Sequence, residues 1–304
     1  MQNQSERSPV LVAALLFIWV LIPIAVDAFA VSASVVQGAN NQTLTPSQLA
    51  IAEQKRRLNS LEIEDRREAL MRLGAMRRPE ASRAALTALN DPAPIVRATA
   101  AAAVVWLPAE ESAASLIPLL TDRDEFVRQQ TAYALGQTRS RTAVAALVER
   151  LTDRKDSVRG AAAVALGQLG DPTAVTSLAA ILDPQAGLMP AKKGQKNKRE
   201  QNQLILRAAA RSLGQIGNRA GVPALIDVLQ DERAESDLRR EAASALGAIG
   251  DAAAIPALRS VEATSDPYLG EAAQQAIRRI ARHQGELAVS NERSVKMESA
   301  AHLK

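Results

Sequence analysis

The stretch Val127–Gly136 reads VRQQTAYALG, and Val158–Gly167 repeats it as VRGAAAVALG. Leu238–Gly247 (LRREAASALG) is a third copy. Val96–Val105 (VRATAAAAVV) is a degraded copy, set as far before Val127 as Val158 lies after it. A helical pattern recurring at a fixed step of about 30 residues is the signature of a solenoid, in which each repeat buries its apolar face only against its neighbours. The expected fold class is therefore all-α, an α-solenoid built as a superhelix of about seven helix pairs.

The Leu-Gly ends of the first helices set the register. They fall at Leu73-Gly74, Val104-Val105, Leu135-Gly136, Leu166-Gly167, Leu213-Gly214, Leu246-Gly247 and Ile277-Arg278. Turn chemistry marks the step between helices. Gly170-Asp171-Pro172 offers a left-handed helix end, an N-cap and a first-turn proline in succession. Gly217-Asn218 and Gly250-Asp251 repeat its first two parts. The second helices carry Leu at i and i+4 (Leu147/Leu151, Leu178/Leu182, Leu225/Leu229), one buried stripe each. Pro118 falls inside a second helix, where a proline is expected to bend it. Thr45-Pro46 predicts the start of a leading helix running toward Leu61.

The pattern D-x4-VRxxAAxALGxxGD, followed by A-V-x-x-L-x-x-x-L-x-D, resembles the HEAT-like repeats of the phycobilisome-lyase type across roughly residues 61–283. The resemblance implies paired antiparallel helices stacked into a superhelix. It does not by itself imply lyase activity, because many proteins with these repeats are binding scaffolds.

Composition narrows the chemistry. The chain has no cysteine, so disulfides and thiolate chemistry are excluded. Its two histidines, His283 and His302, lie at or beyond the end of the array, away from any paired metal site within the repeats. No phosphate loop or nucleophile elbow occurs. The reading is a protein that is not an enzyme and needs no cofactor. The alternative is a bilin-lyase-like chromophore-binding enzyme or accessory subunit.

Val10–Val26 is an uninterrupted apolar run preceded by Arg7 and followed by Ala28-Phe29-Ala30. That order matches a signal peptide over residues 1–33, or a retained membrane anchor. Export to the cell envelope, periplasm or exterior is expected in both cases. Residues 34–60 read as a linker and the leading helix, 61–283 as the array, and 284–304 as a flexible C-terminal tail.

Charge is concentrated in one place. Residues 185–203 hold Lys192, Lys193, Lys196, Lys198 and Arg199 against Glu200 alone, which equals the whole formal net charge of +4. This segment is inserted between repeats and reads as a basic loop able to touch an anionic surface. It lacks aromatic residues, which with export argues against nucleic acid. Trp106 is the candidate hot spot for a protein partner, set against burial at a helix end where Trp106-Leu107-Pro108 replaces the usual glycine turn. Arg66, Arg97, Arg128, Arg159 and Arg239 recur at the second position of the first helix. Asp91, Asp122 and Asp153 lie just upstream of Arg97, Arg128 and Arg159. A structural ladder is therefore expected, with each aspartate capping a helix start and pairing with an arginine of an adjacent unit. Leu206 and Gly270 stand where other repeats have arginine.

Overall fold

The computed structural model describes residues 44–183 and 196–301. Those residues are helical, with no β-strand among them. A leading helix α1 (Pro46–Arg57) is followed by six helix pairs and a last, unpaired first helix. The first helices are α2 (Ile63–Ala75), α4 (Pro94–Ala103), α6 (Glu125–Gln137), α8 (Asp156–Leu169), α10 (Lys196–Ile216), α12 (Ser236–Ile249) and α14 (Pro267–Ala301). The second helices are α3 (Pro79–Ala85), α5 (Ala109–Leu116), α7 (Val144–Arg150), α9 (Val175–Leu182), α11 (Val222–Gln230) and α13 (Ile255–Ser260). Each first helix before α14 packs on the next first helix, and each from α4 on packs on the second helix of the preceding pair.

The starts and stops follow from local chemistry. Thr45 and Gln48 form a capping box, each side chain bonding the other's backbone N–H, with Pro46 at the first position of α1. Gly170, Gly217 and Gly250 take left-handed φ values of 65°, 70° and 76°, the conformation that ends a helix without a Cβ penalty. Asp171, Asn218 and Asp251 then accept N–H groups of the short 3-10 turns that open α9, α11 and α13.

The core explains the repeated Ala-Leu-Gly. Leu70, Leu135, Leu166 and Leu246 of the first helices and Leu147, Leu178, Leu225 and Leu258 of the second are fully buried, each worth about 1.5–3 kcal/mol. The glycine that follows each first-helix leucine lets consecutive first helices touch. A Cβ at Gly136 would stand 2.9 Å from the Cα of Ala165, and one at Gly247 would stand 2.7 Å from the Cα of Ala276. α4 carries Val105 instead. There the α-helix stops at Ala103, and the chain passes through a 3-10 turn at Val104–Trp106 into extended backbone at Leu107.

Three expectations change. Residues 196–203 are not loop but the first turns of α10, because Lys, Arg, Glu and Gln are strong helix formers that extend a helix already anchored by packing. The same reason carries α14 through Ala301, so the expected tail is helical over 284–301. Pro118 does not bend an α-helix. α5 ends at Leu116 and the chain tightens into a 3-10 turn over Ile117–Thr121, with the proline in its first positions, where it has no N–H to lose.

Among the described residues, no helix is long and apolar enough to cross a membrane. Val10–Val26, Ala28–Ala30, Lys192 and Lys193 lie outside the described residues.

Candidate interaction surface

The recurring arginines lie one turn into the first helices, where the chain has just turned up from the preceding second helix. Arg66 of α2 reaches forward into the next repeat to Asp91, with its Nε and Nη2 donating to the two carboxylate oxygens at 2.7 and 2.9 Å. Arg97 grips Asp122 at 2.8 Å through both nitrogens. Arg128 grips Asp153 at 2.9 and 3.1 Å. These fork-to-fork pairs are the strong form of the arginine–carboxylate contact. The side chains of the last two pairs are only 5–12% exposed.

Each aspartate is also a junction. Its carboxylate accepts the N–H two residues on, from Ala93, Asp124 and Lys155 in turn. Its carbonyl accepts the Nη1 of the next arginine: Arg97 on Asp91, Arg128 on Asp122, Arg159 on Asp153. The ladder therefore runs unbroken from Arg66 to Arg159. The aspartates fix the loop before the helix, whereas the helix cap itself at α6 is Asp124, two residues later.

Burial pushes the carboxyls of Asp91, Asp122 and Asp153 up. The hydrogen bond from each paired arginine, the backbone N–H and the surrounding positive charge more than offset it, so all three lie below the ordinary carboxylate value. Arg66 and Arg97 are held correspondingly above theirs by the aspartate hydrogen bond.

The ladder changes at Arg159. It pairs with Asp156 of its own helix, and its buried Nε has no hydrogen-bond partner among the described residues. Beyond the insertion the pattern is split. Asp231 has the same loop contact, accepting the Arg233 N–H at 2.9 Å. The position that would reach forward to it, however, is occupied by Leu206. Arg239 has the arginine, but the position it would reach forward to is Thr264. Arg239 donates from Nε to the Leu229 carbonyl at 2.9 Å. The C-terminal repeats are tied instead by surface pairs between neighbouring first helices: Arg211 with Glu241 at 2.7 and 2.9 Å, and Arg207 with Asp237 at 3.2 Å.

Trp106 is not buried at its helix end. It is 40% exposed, and the Arg77 guanidinium lies over it, 5.4 Å from the ring centroid, within cation–π range. Arg77 itself has φ 51°, a left-handed conformation in the place where Gly170 stands in a later repeat. A non-glycine residue there costs about 1 kcal/mol or more. The valine at 105 is the sequence signal for this departure, since it stands where α4 ends early. Tyr268 is also exposed, beneath Arg240 at 5.7 Å. Lys196, Lys198 and Arg199 lie on the first turn of α10. Among the described residues, no group of His, Cys, Asp or Glu side chains has the arrangement to hold a metal ion.

The sequence matches the family model of HEAT repeats over residues 55–136, 115–188 and 196–278. The chain belongs to the HEAT-repeat family. Among solved structures it is similar to the complex of CpcE and CpcF of phycocyanin lyase from Nostoc sp. PCC7120, with 25% identity, a TM-score of 0.45, and coverage of 86% of this chain and 93% of that one. It is similar to human deoxyhypusine hydroxylase in complex with glycerol at 20% identity and a TM-score of 0.37, covering 78% of this chain and 98% of that one. An engineered protein is also similar, at 20% identity and a TM-score of 0.44, with 76% and 68% covered. No curated protein matches the sequence.

Proposed function

We propose that this protein is a non-enzymatic scaffold, exported or anchored by its N-terminal segment, whose repeat array binds another protein. The observation that carries the proposal is Trp106. A large aromatic side chain stands partly exposed on an otherwise aromatic-poor array, with the Arg77 guanidinium over its ring. Interface energy concentrates in such anchors, and a side chain already held in place loses less freedom on binding. The ladder supports the same reading from the other side. Its arginines are consumed by aspartates within the array, which leaves them to hold the repeats in register. The apolar run Val10–Val26 with Ala28-Phe29-Ala30 supports the export half of the proposal.

The test uses the full-length chain as bait in cross-linked membrane and envelope fractions. A protein retained by the wild type and lost with Trp106→Ala, at unchanged melting temperature, is the expected result. Equal retention by both, or no retained protein in any fraction, overturns the proposal. Fractionation with N-terminal sequencing tests export: a mature N-terminus near Val31 or Ser34, or an intact chain in the membrane, is expected, and an intact soluble cytoplasmic chain overturns it.

A further inference from the structure

Arg239 holds the sequence position of a ladder arginine, but its Nε goes to the Leu229 carbonyl at 2.9 Å, where Arg97 turns Nε and Nη2 to Asp122 and Nη1 to the Asp91 carbonyl. In a complete rung, Arg97 closes on Asp122, and the loop's next acid, Asp124, remains two residues on. In the last full repeat the acid position is Thr264, and Asp266 stands in the place of Asp124. Asp266 is already committed. It accepts the N–H groups of Tyr268 and Leu269 at 3.0 and 3.2 Å and an Nη1 bond from Arg240 at 3.0 Å. Among the described residues, no carboxylate forms an ion pair with Arg239, whose hydrogen bond goes to the Leu229 carbonyl. Arg239 lines instead an open cleft of about 670 Å³, whose other polar lining residues are Gln230, Glu232, Ser260, Thr264 and Ser265. The matching cleft at the Arg97 rung, about 470 Å³, has Asp122 in its wall.

We propose that the Arg239 cleft accepts a carboxylate from outside the chain, the aspartate or glutamate side chain of a bound protein segment. The array repeats one frame in which an arginine at this position takes a carboxylate through two parallel N–H bonds. Where the frame omits its own acid, the two terminal nitrogens of Arg239, which make no hydrogen bond among the described residues, offer a carboxylate the same planar pair of donors. Hydroxyls at Thr264 and Ser265 add donors for the second oxygen. Glu232, an exposed residue of the same lining, adds a negative charge that disfavours more highly charged anions such as phosphate. The proposal deepens the scaffold reading by naming the chemistry of one contact. A failure here leaves that reading standing, because it is tested separately at Trp106.

The experiment is a proton–nitrogen correlation titration of the full chain, following the Arg239 Nε–H and the backbone N–H of Ser265. The probes are a blocked Gly-Asp-Gly tripeptide, its Gly-Asn-Gly counterpart, sodium acetate and inorganic phosphate. The expected result is a saturable shift with the aspartate peptide, at least about tenfold tighter than with the asparagine peptide, as loss of a charge-assisted bond requires. The Ser265 response should disappear in Arg239→Gln, and in Thr264→Asp, where the chain supplies its own acid. Spectra unchanged elsewhere establish that both variants fold, and if Thr264→Asp does not fold, Arg239→Gln decides. Equal response to the two peptides, no response, or persistence in Arg239→Gln overturns the proposal. Acetate binding as tightly as the aspartate peptide overturns the protein source, and preference for phosphate overturns the carboxylate.

Discussion

The two halves of this array solve the same problem differently. From Arg66 to Asp153 the repeats are joined by three buried arginine–aspartate forks linked through the aspartate carbonyls into one chain of hydrogen bonds. From Leu206 onward the forks are gone, and the repeats are joined by close first-helix contacts at Gly214 and Gly247 and by ion pairs on the surface. Buried, hydrogen-bonded pairs are costly to break once formed, whereas exposed pairs contribute about 0–1 kcal/mol. Close first-helix contacts run through both halves, at Gly136 as at Gly214 and Gly247, so the N-terminal half adds polar register to shape and the C-terminal half relies on shape. One consequence is functional: a half that no longer needs its forks for register can leave an arginine such as Arg239 unclaimed.

That contrast can be broken in several ways. Acid should have the largest effect, because it acts on three forks together. The carboxyls of Asp91, Asp122 and Asp153 lie below their unfolded value of about 3.9. Their stabilisation is therefore complete above that pH and is lost as pH falls through the lower folded values. Hydrogen exchange below about pH 4 should show residues 62–154 opening before residues 236–280. Simultaneous opening would contradict the division.

Arg128→Ala comes next. It strands the Asp153 carboxylate in a buried site and should cost about 3 kcal/mol or more, lowering the melting temperature by roughly 5–15 °C. Loss of partner binding with no change in melting would instead make this arginine functional. Gly247→Ala presses a methyl group to 2.7 Å from the Cα of Ala276 and should cost about 1–3 kcal/mol. A neutral result would mean that the C-terminal half is not held by close approach. Arg211→Ala removes a surface tie whose arginine side chain is 59% exposed. It should cost less than about 1 kcal/mol, and that little should vanish in high salt.

Much of this architecture is legible in the sequence, because a repeat displays its register many times over. The period, the glycine turns and the capping threonine at 45 all rest on local chemistry that neighbouring residues decide. The ladder is half legible. The sequence predicts that each aspartate pairs with an arginine of an adjacent unit, and Asp153 does take Arg128, but which neighbouring unit supplies the arginine is not written in the sequence. That choice depends on the rise from one repeat to the next, which no local window contains. Once the reach of each fork is known, the missing partners Leu206 and Thr264 can be read directly. Trp106 illustrates the opposite limit. Its exposure accompanies the early end of α4, which Val105 in the usual glycine place signals only once the repeats are aligned. The charged stretches at 196–203 and 284–301 mislead for a further reason: a composition too polar to form a core suits a solvated helix as well as a loop.

The most direct test of the division is to restore the missing rung and measure thermal melting of Thr264→Asp beside Arg239→Gln and the double variant. The expected result is a rise in melting temperature for Thr264→Asp, from a new fork with Arg239 worth about 1 kcal/mol or more, and its loss in the double variant. An unchanged or lowered melting temperature for Thr264→Asp, or an equal rise when Arg239 is absent, would contradict the reading of Arg239 as a ladder arginine left without its acid.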